Sequence, residues 1–162
     1  MTFDADNASD QGQVAGVQNA PPTFDPSGFT TEPYVKRVEK PWGYELHWVP
    51  EGMPYMGKIM HVTAGEYLSL QVHDQKQESY FMMSGRAALE WENNQGEMVT
   101  TEMQPGLGYR TTVGQKHRIR SITDCDVIEA STPESGTTWR LEDKYARPNE
   151  TPDERKLERG ES

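Results

Sequence analysis

Between residues 44 and 131 the chain is a succession of short segments rich in aromatic and β-branched residues. They cover 44–49, 57–62, 67–73, 79–83, 87–92, 97–103, 108–111, 117–122 and 126–131. Pro50-Glu51-Gly52, Ala64-Gly65, Ser84-Gly85, Asn93-Asn94-Gln95-Gly96, Pro105-Gly106 and Val113-Gly114 punctuate them. Segments this short, closely spaced and broken by turn residues predict an antiparallel sandwich or small barrel. No helical stripe precedes residue 139, so the fold class expected is all-β.

Period-two alternation then decides which side chains can meet. Ser69, Gln71 and His73 fall on one face of their strand, with Leu68, Leu70 and Val72 on the other. Glu78, Tyr80 and Met82 share a face, as do His117, Ile119 and Ser121, which turns Arg118 and Arg120 away. An inner surface carrying Gln71, His73, Glu78 and His117 follows if these segments are neighbours. Two imidazoles, a carboxylate and an amide oxygen form a mixed N/O set for one divalent ion such as Zn²⁺, Mn²⁺ or Fe²⁺. The set lacks a thiolate, which disfavours a closed structural zinc site and favours one that keeps a position for water or substrate.

The flanks read differently. Residues 1–33 contain Asp4, Asp6, Asp10, Asp25 and Glu32, no Lys or Arg, and only Phe3, Phe24 and Phe29 as large apolar groups. Such a segment cannot repay its ordering entropy and is expected to be a flexible acidic arm. Residues 148–162 are expected to be a charged flexible tail, within which 153–159 has the composition of a short solvated helix. The intervening 34–147 is the one domain that 162 residues allow beside these flanks.

Charge and cysteine content narrow the function classes. A net charge of −10 gives no electrostatic footprint for nucleic acid or an anionic membrane. No apolar run reaches the roughly 20 residues of a membrane helix, and the first residues lack the pattern of a signal peptide. A single cysteine, Cys125, excludes an internal disulfide, and a cytoplasmic location is the expectation.

Gly65-x5-Gln71-x-His73-x4-Glu78-x6-Gly85 resembles the first signature motif of cupins, with Gln71 in place of the usual first histidine. Gly114-x2-His117 resembles the end of the second motif. The chain is most similar to the cupin domain of type II mannose-6-phosphate isomerases, without their guanylyltransferase domain. Lys40-Pro41-Trp42-Gly43, Leu68-Ser69-Leu70-Gln71-Val72-His73, Trp139-Arg140-Leu141-Glu142-Asp143 and Asp143-Lys144-Tyr145-Ala146-Arg147 carry that resemblance, over about residues 38–147. It implies a single-domain cupin, a double-stranded β-helix or jelly-roll barrel, with Gln71, His73, Glu78 and His117 as metal ligands. Zn²⁺ is the first choice of ion, with Mn, Fe or Ni as alternatives.

The resemblance also implies an isomerase-like enzyme acting on a sugar or sugar phosphate through an enediolate. Lys58 and Arg140 sit where a base or a phosphate-binding cation would be needed, although each also reads as a plain surface cation. Tyr80 and Met82 are expected to line the substrate wall. Pairing of two copies through the 34–49 segment is expected, with a small molecule as the remaining partner. An Fe-dependent oxygenase or other biosynthetic cupin, and a non-catalytic sugar-binding cupin, are the alternatives. Departures cluster around the pocket mouth: Asp74-Gln75-Lys76 replaces the common His-His-Arg, Ser79-Tyr80 stands where a His or Trp is frequent, Thr112-Val113 replaces a proline position, and Ala146 replaces the closing glycine.

Overall fold

In a computed structural model, residues 21–160 are described. Among them, eleven strands lie between residues 36 and 142. They are β1 (Lys36–Lys40), β2 (Gly43–His47), β3 (Met56–Val62), β4 (Leu70–His73), β5 (Glu78–Ser84), β6 (Ala87–Glu92), β7 (Met98–Glu102), β8 (Gly108–Thr111), β9 (His117–Ser121), β10 (Cys125–Ser131) and β11 (Thr138–Glu142), followed by helix α1 (Pro152–Glu158). One sheet runs β1-β2-β3-β10-β5-β8 and the other β11-β4-β9-β6-β7, with every pairing antiparallel. Non-consecutive neighbours, such as β3 beside β10 and β4 beside β9, give the interleaved topology of a jelly roll.

Alternation closes the barrel. Inward residues such as Met60, Val62, Met82, Leu89, Ile119 and Val127 are at most 3% exposed and form one cluster. Each stabilises the fold by roughly 1.5–3 kcal/mol relative to exposure. Tight chain reversals position the strands. Gly43 has φ +147° and a Cβ there would sit 2.0 Å from the His61 carbonyl oxygen; at Gly85 (φ +76°) it would sit 2.1 Å from that of Asp124. Both turns therefore require glycine.

Two strands are not anticipated by the sequence pattern. β1 has only Val38 buried, and β11 turns Arg140, not an apolar residue, towards the interior. β1 ends its sheet, so the segment expected to pair subunits lies at a sheet edge.

Within residues 148–162 the helix α1 falls where the composition suggests one. Thr151 caps α1 by accepting a hydrogen bond from the Glu154 amide, and Arg155, 7% exposed, bonds Glu150 Oε1 at 3.0 Å and the Gly136 carbonyl at 3.3 Å. Buried hydrogen-bonding positions on the barrel thus compensate the cost of ordering it. Of the arm, residues 1–20 lie outside the described residues. Residues 21–32 hold a single 3₁₀ turn, Pro26–Gly28, capped by the Asp25 carboxylate, with Phe24 and Phe29 exposed. No described helix is long and apolar enough to cross a membrane.

Candidate metal centre and charged cavity

The four residues singled out by spacing converge. Gln71 and His73 lie on β4, Glu78 opens β5 and His117 opens β9, with Gln71 directly opposite His117 in the ladder. Glu78 Oε1 is 3.1 Å from His73 Nε2 and 2.7 Å from His117 Nε2. The candidate ligand atoms of His73, Glu78 and His117 all lie within 4.8 Å of one another. The Gln71 amide stands 3.4 Å from both Nε2 atoms, and its oxygen accepts from the Ser69 hydroxyl at 3.0 Å.

Each ring has a hydrogen-bond partner on its far side, and for His117 the carbonyl there sets the tautomer. His117 Nδ1 donates to the Gln115 carbonyl at 2.8 Å, and His73 Nδ1 pairs with Thr138 Oγ1 at 3.1 Å. Both rings therefore present Nε2 to a common point, the arrangement that second-layer partners impose on metal-binding histidines. At that point three lone-pair-bearing atoms face one another. Either a second proton on an imidazole or a cation must sit among them, and two N and one or two O donors fit a divalent ion. The only thiol, Cys125, is buried in the core, and burial pushes its pKa up.

Glu78 is held ionised. Burial pushes its carboxyl pKa up, but the Lys76 charge, then the His117 and His73 bonds, outweigh this and set it well below the usual carboxylate range. Burial lowers the His73 pKa, partly opposed by Glu78, so the neutral ring that a metal needs is favoured. Tyr80 donates to Glu78 Oε1, and burial followed by the Glu78 charge raises its phenol well above the ordinary value. Tyr80 and Met82 share the predicted face, yet they are 2% and 0% exposed and belong to the core cluster. Neither is among the residues that border the cavity described next.

The cavity beside the ligands is small, about 40 Å³, with Gln71 and His73 among its walls. Its other walls are densely charged. Lys58 Nζ lies 3.1 Å from Glu45, 3.3 Å from Glu134 and 3.4 Å from Glu129, and is 6% exposed. Lys76 Nζ lies 2.7 Å from Glu78 Oε2 and 2.8 Å from Glu129. Arg140 pairs with Glu150 at 2.8 Å and Glu158 at 3.3 Å, Lys40 with Glu158, Arg147 with Asp143, and Arg159 with Glu134.

The surface-cation reading thus fails for Lys58 and for Arg140, whose side chain is 4% exposed. Burial alone would lower the Lys58 pKa, but Glu129 and Glu45 outweigh burial and raise it above the ordinary lysine value, so Lys58 stays cationic. Arg140 Nε is buried without a hydrogen-bond partner. Sequence reasoning did not identify Glu45, Glu129, Glu134 or Thr138. Only Lys76 left a signal, as the cation standing where the resemblance has arginine. A second, more apolar cleft, lined by Leu89, Trp91, Thr101, Tyr109 and Val113 among others, contains none of the four candidate ligands.

A family model described as mannose-6-phosphate isomerase C-terminal matches residues 30–129. Solved structures with a similar fold include an oxalate decarboxylase from Lactobacillus farciminis, at 18% identity and a TM-score of 0.59, covering 70% of this chain and 37% of that one. Another is the capsular polysaccharide assembling protein CapF from Staphylococcus aureus, at 12% identity and a TM-score of 0.52, covering 79% of this chain and 34% of that one. The chain spans little more than a third of the length of these proteins, and at such identities the likeness is one of fold. No curated protein matches.

Proposed function

The chain belongs to the mannose-6-phosphate isomerase C-terminal family of cupins, and we propose that it is a mononuclear metal enzyme of the sugar-isomerase type. The observation that carries this reading is the meeting of His73 Nε2, His117 Nε2 and Glu78 Oε1 beside a polar cavity that Gln71 and His73 border. His73, Glu78 and His117 would hold the ion, with the Gln71 amide oxygen as a fourth donor once the amide turns over. Zn²⁺ is the ion first proposed. When bound, a divalent ion polarises a carbonyl and its neighbouring hydroxyl, lowering the cost of an enediolate.

The chain's own residues supply the remainder. Arg140 borders the cavity with an unpartnered Nε–H, a donor suited to a substrate oxygen that gains charge during proton transfer. Lys58 contributes fixed positive charge, and the proton acceptor is assigned to the carboxylate wall of Glu45, Glu129 and Glu134. Every lysine and arginine bordering the cavity is already paired with a carboxylate. That favours a sugar bound through hydroxyls over a phosphate ester, which calls for uncommitted cations.

The test is incubation of the Zn²⁺- or Mn²⁺-loaded protein with aldoses and aldose phosphates in D₂O, followed by NMR. Ketose formation, with solvent deuterium entering at the carbon beside the carbonyl, is expected. Sugar that raises the melting temperature yet is recovered without deuterium would overturn the isomerase reading and leave a sugar-binding cupin.

A further inference from the structure

Glu78 uses its two oxygens differently. Oε1 faces both imidazoles and accepts from Tyr80, whereas Oε2 is turned to the Lys76 ammonium at 2.7 Å and takes part in no well-formed hydrogen bond. Lys76 comes from the 74–77 loop, which two anchors fix. The Asp74 carboxylate accepts from the Thr137 amide at 2.8 Å, and the Gln77 amide donates to Thr132 Oγ1 at 3.1 Å. With the loop pinned on both sides, a side chain only 7% exposed is threaded to the ligand carboxylate from behind.

We infer that Lys76 is a built-in counter-cation for Glu78, which competes with a divalent ion for the same carboxylate and thereby sets how tightly the site holds that ion. This rests on the metal reading above. Without an ion, the buried Glu78 carboxylate needs a positive charge beside it, and Lys76 supplies it at 2.7 Å. The same ammonium stands one carboxylate away from any ion on Oε1, and like charges in a poorly screened interior repel. Glu129, at 2.8 Å from Nζ on the other side, holds part of the lysine's charge away from Glu78. The two carboxylates thus act in opposite directions on the site.

Opposite effects are therefore expected from two substitutions. Lys76→Met frees Oε2, removes the repulsion and leaves Glu129 as an extra negative charge. It should tighten Zn²⁺ binding by about tenfold or more, the scale on which groups behind a ligand act. Lys76→Arg retains the charge and should stay within about threefold of the parent. Glu129→Gln leaves Lys76 with Glu78 at 2.7 Å and the more distant Glu134 at 3.7 Å, so more of its charge falls on Glu78, and it should weaken binding.

The measurement is the Zn²⁺ dissociation constant by competition with a chromogenic chelator, on full-length protein stripped of metal. Unchanged or weaker binding in Lys76→Met overturns the inference, because it would mean that the lysine only positions Glu78. Should that variant fail to fold, Glu129→Gln decides, and equal or tighter binding there overturns the inference. A parent protein that binds no Zn²⁺ in the same assay overturns the metal reading itself, and the inference falls with it.

Discussion

Lys58→Met removes the cation at the centre of the buried network while keeping the length of the side chain. In the parent its ammonium lies 3.1–3.4 Å from Glu45, Glu134 and Glu129, and the methionine leaves those three carboxylates without it. Breaking a buried ion pair from one side costs about 3–5 kcal/mol. Each carboxylate here keeps another partner: Glu45 keeps His47 at 2.8 Å, Glu129 keeps Lys76 at 2.8 Å, and Glu134 keeps Arg159. The lower end, about 3 kcal/mol, is therefore expected. For a unit of this size that corresponds to a fall of roughly 10 °C in melting temperature. Thermal unfolding followed by circular dichroism, with metal chelated, reads it directly. Acid supplies an internal check. Burial pushes the Glu45 carboxyl up, and the Lys58 charge helps to hold it well below the usual range. Without that charge Glu45 takes up a proton more readily, so the deficit should be smaller at pH 5 than at pH 7.5. A fall below about 3 °C, or a deficit that grows in acid, would refute the network as the origin of the stability.

Three further outcomes follow from particular residues. His47 and His73 both titrate below the usual imidazole value of 6.5, chiefly through burial. The unfolded chain then binds more protons below that pH, so metal-free protein should melt lower at pH 5.5 than at pH 7.5, and a flat or rising profile would count against buried neutral rings. Ala146 occupies left-handed backbone at φ +52°, where the resembling motif has glycine. Ala146→Gly should therefore stabilise by about 1 kcal/mol, read as a higher melting temperature, and a loss would contradict the strain. Deleting residues 148–162 strips the Glu150 and Glu158 partners from Lys40 and Arg140, so a drop of about 5 °C or more is expected. No change would restore the view of this segment as a free tail.

The sheet and the convergence of Gln71, His73, Glu78 and His117 were legible because they depend on local periodicity. Gln71 and His73 are two residues apart on one strand, Glu78 follows a short loop, and Gly114 marks the turn before His117. Alternation also placed Tyr80 and Met82 on the face of Glu78, but it carries no information on depth, and both lie in the packed core. β1 and β11 escaped because their inward positions offer Val38 alone and Arg140, which is too little apolar signal for a strand. The ionic network was illegible for a different reason. Lys58, Lys76, Glu45, Glu129 and Glu134 come from separate parts of the chain, and each alone resembles a solvated charge. Only the fold discloses that Lys76 faces Glu78, or that Arg155 and Arg159 tie the last helix to the barrel.

Metal content decides the central claim. Parent protein, His73→Ala and His117→Ala, each dialysed against Zn²⁺ and then freed of excess ion, are compared by atomic emission alongside circular dichroism. The account predicts one ion per parent chain, and folded variants that have lost it. Full retention in either variant, or a parent that holds none, would contradict it.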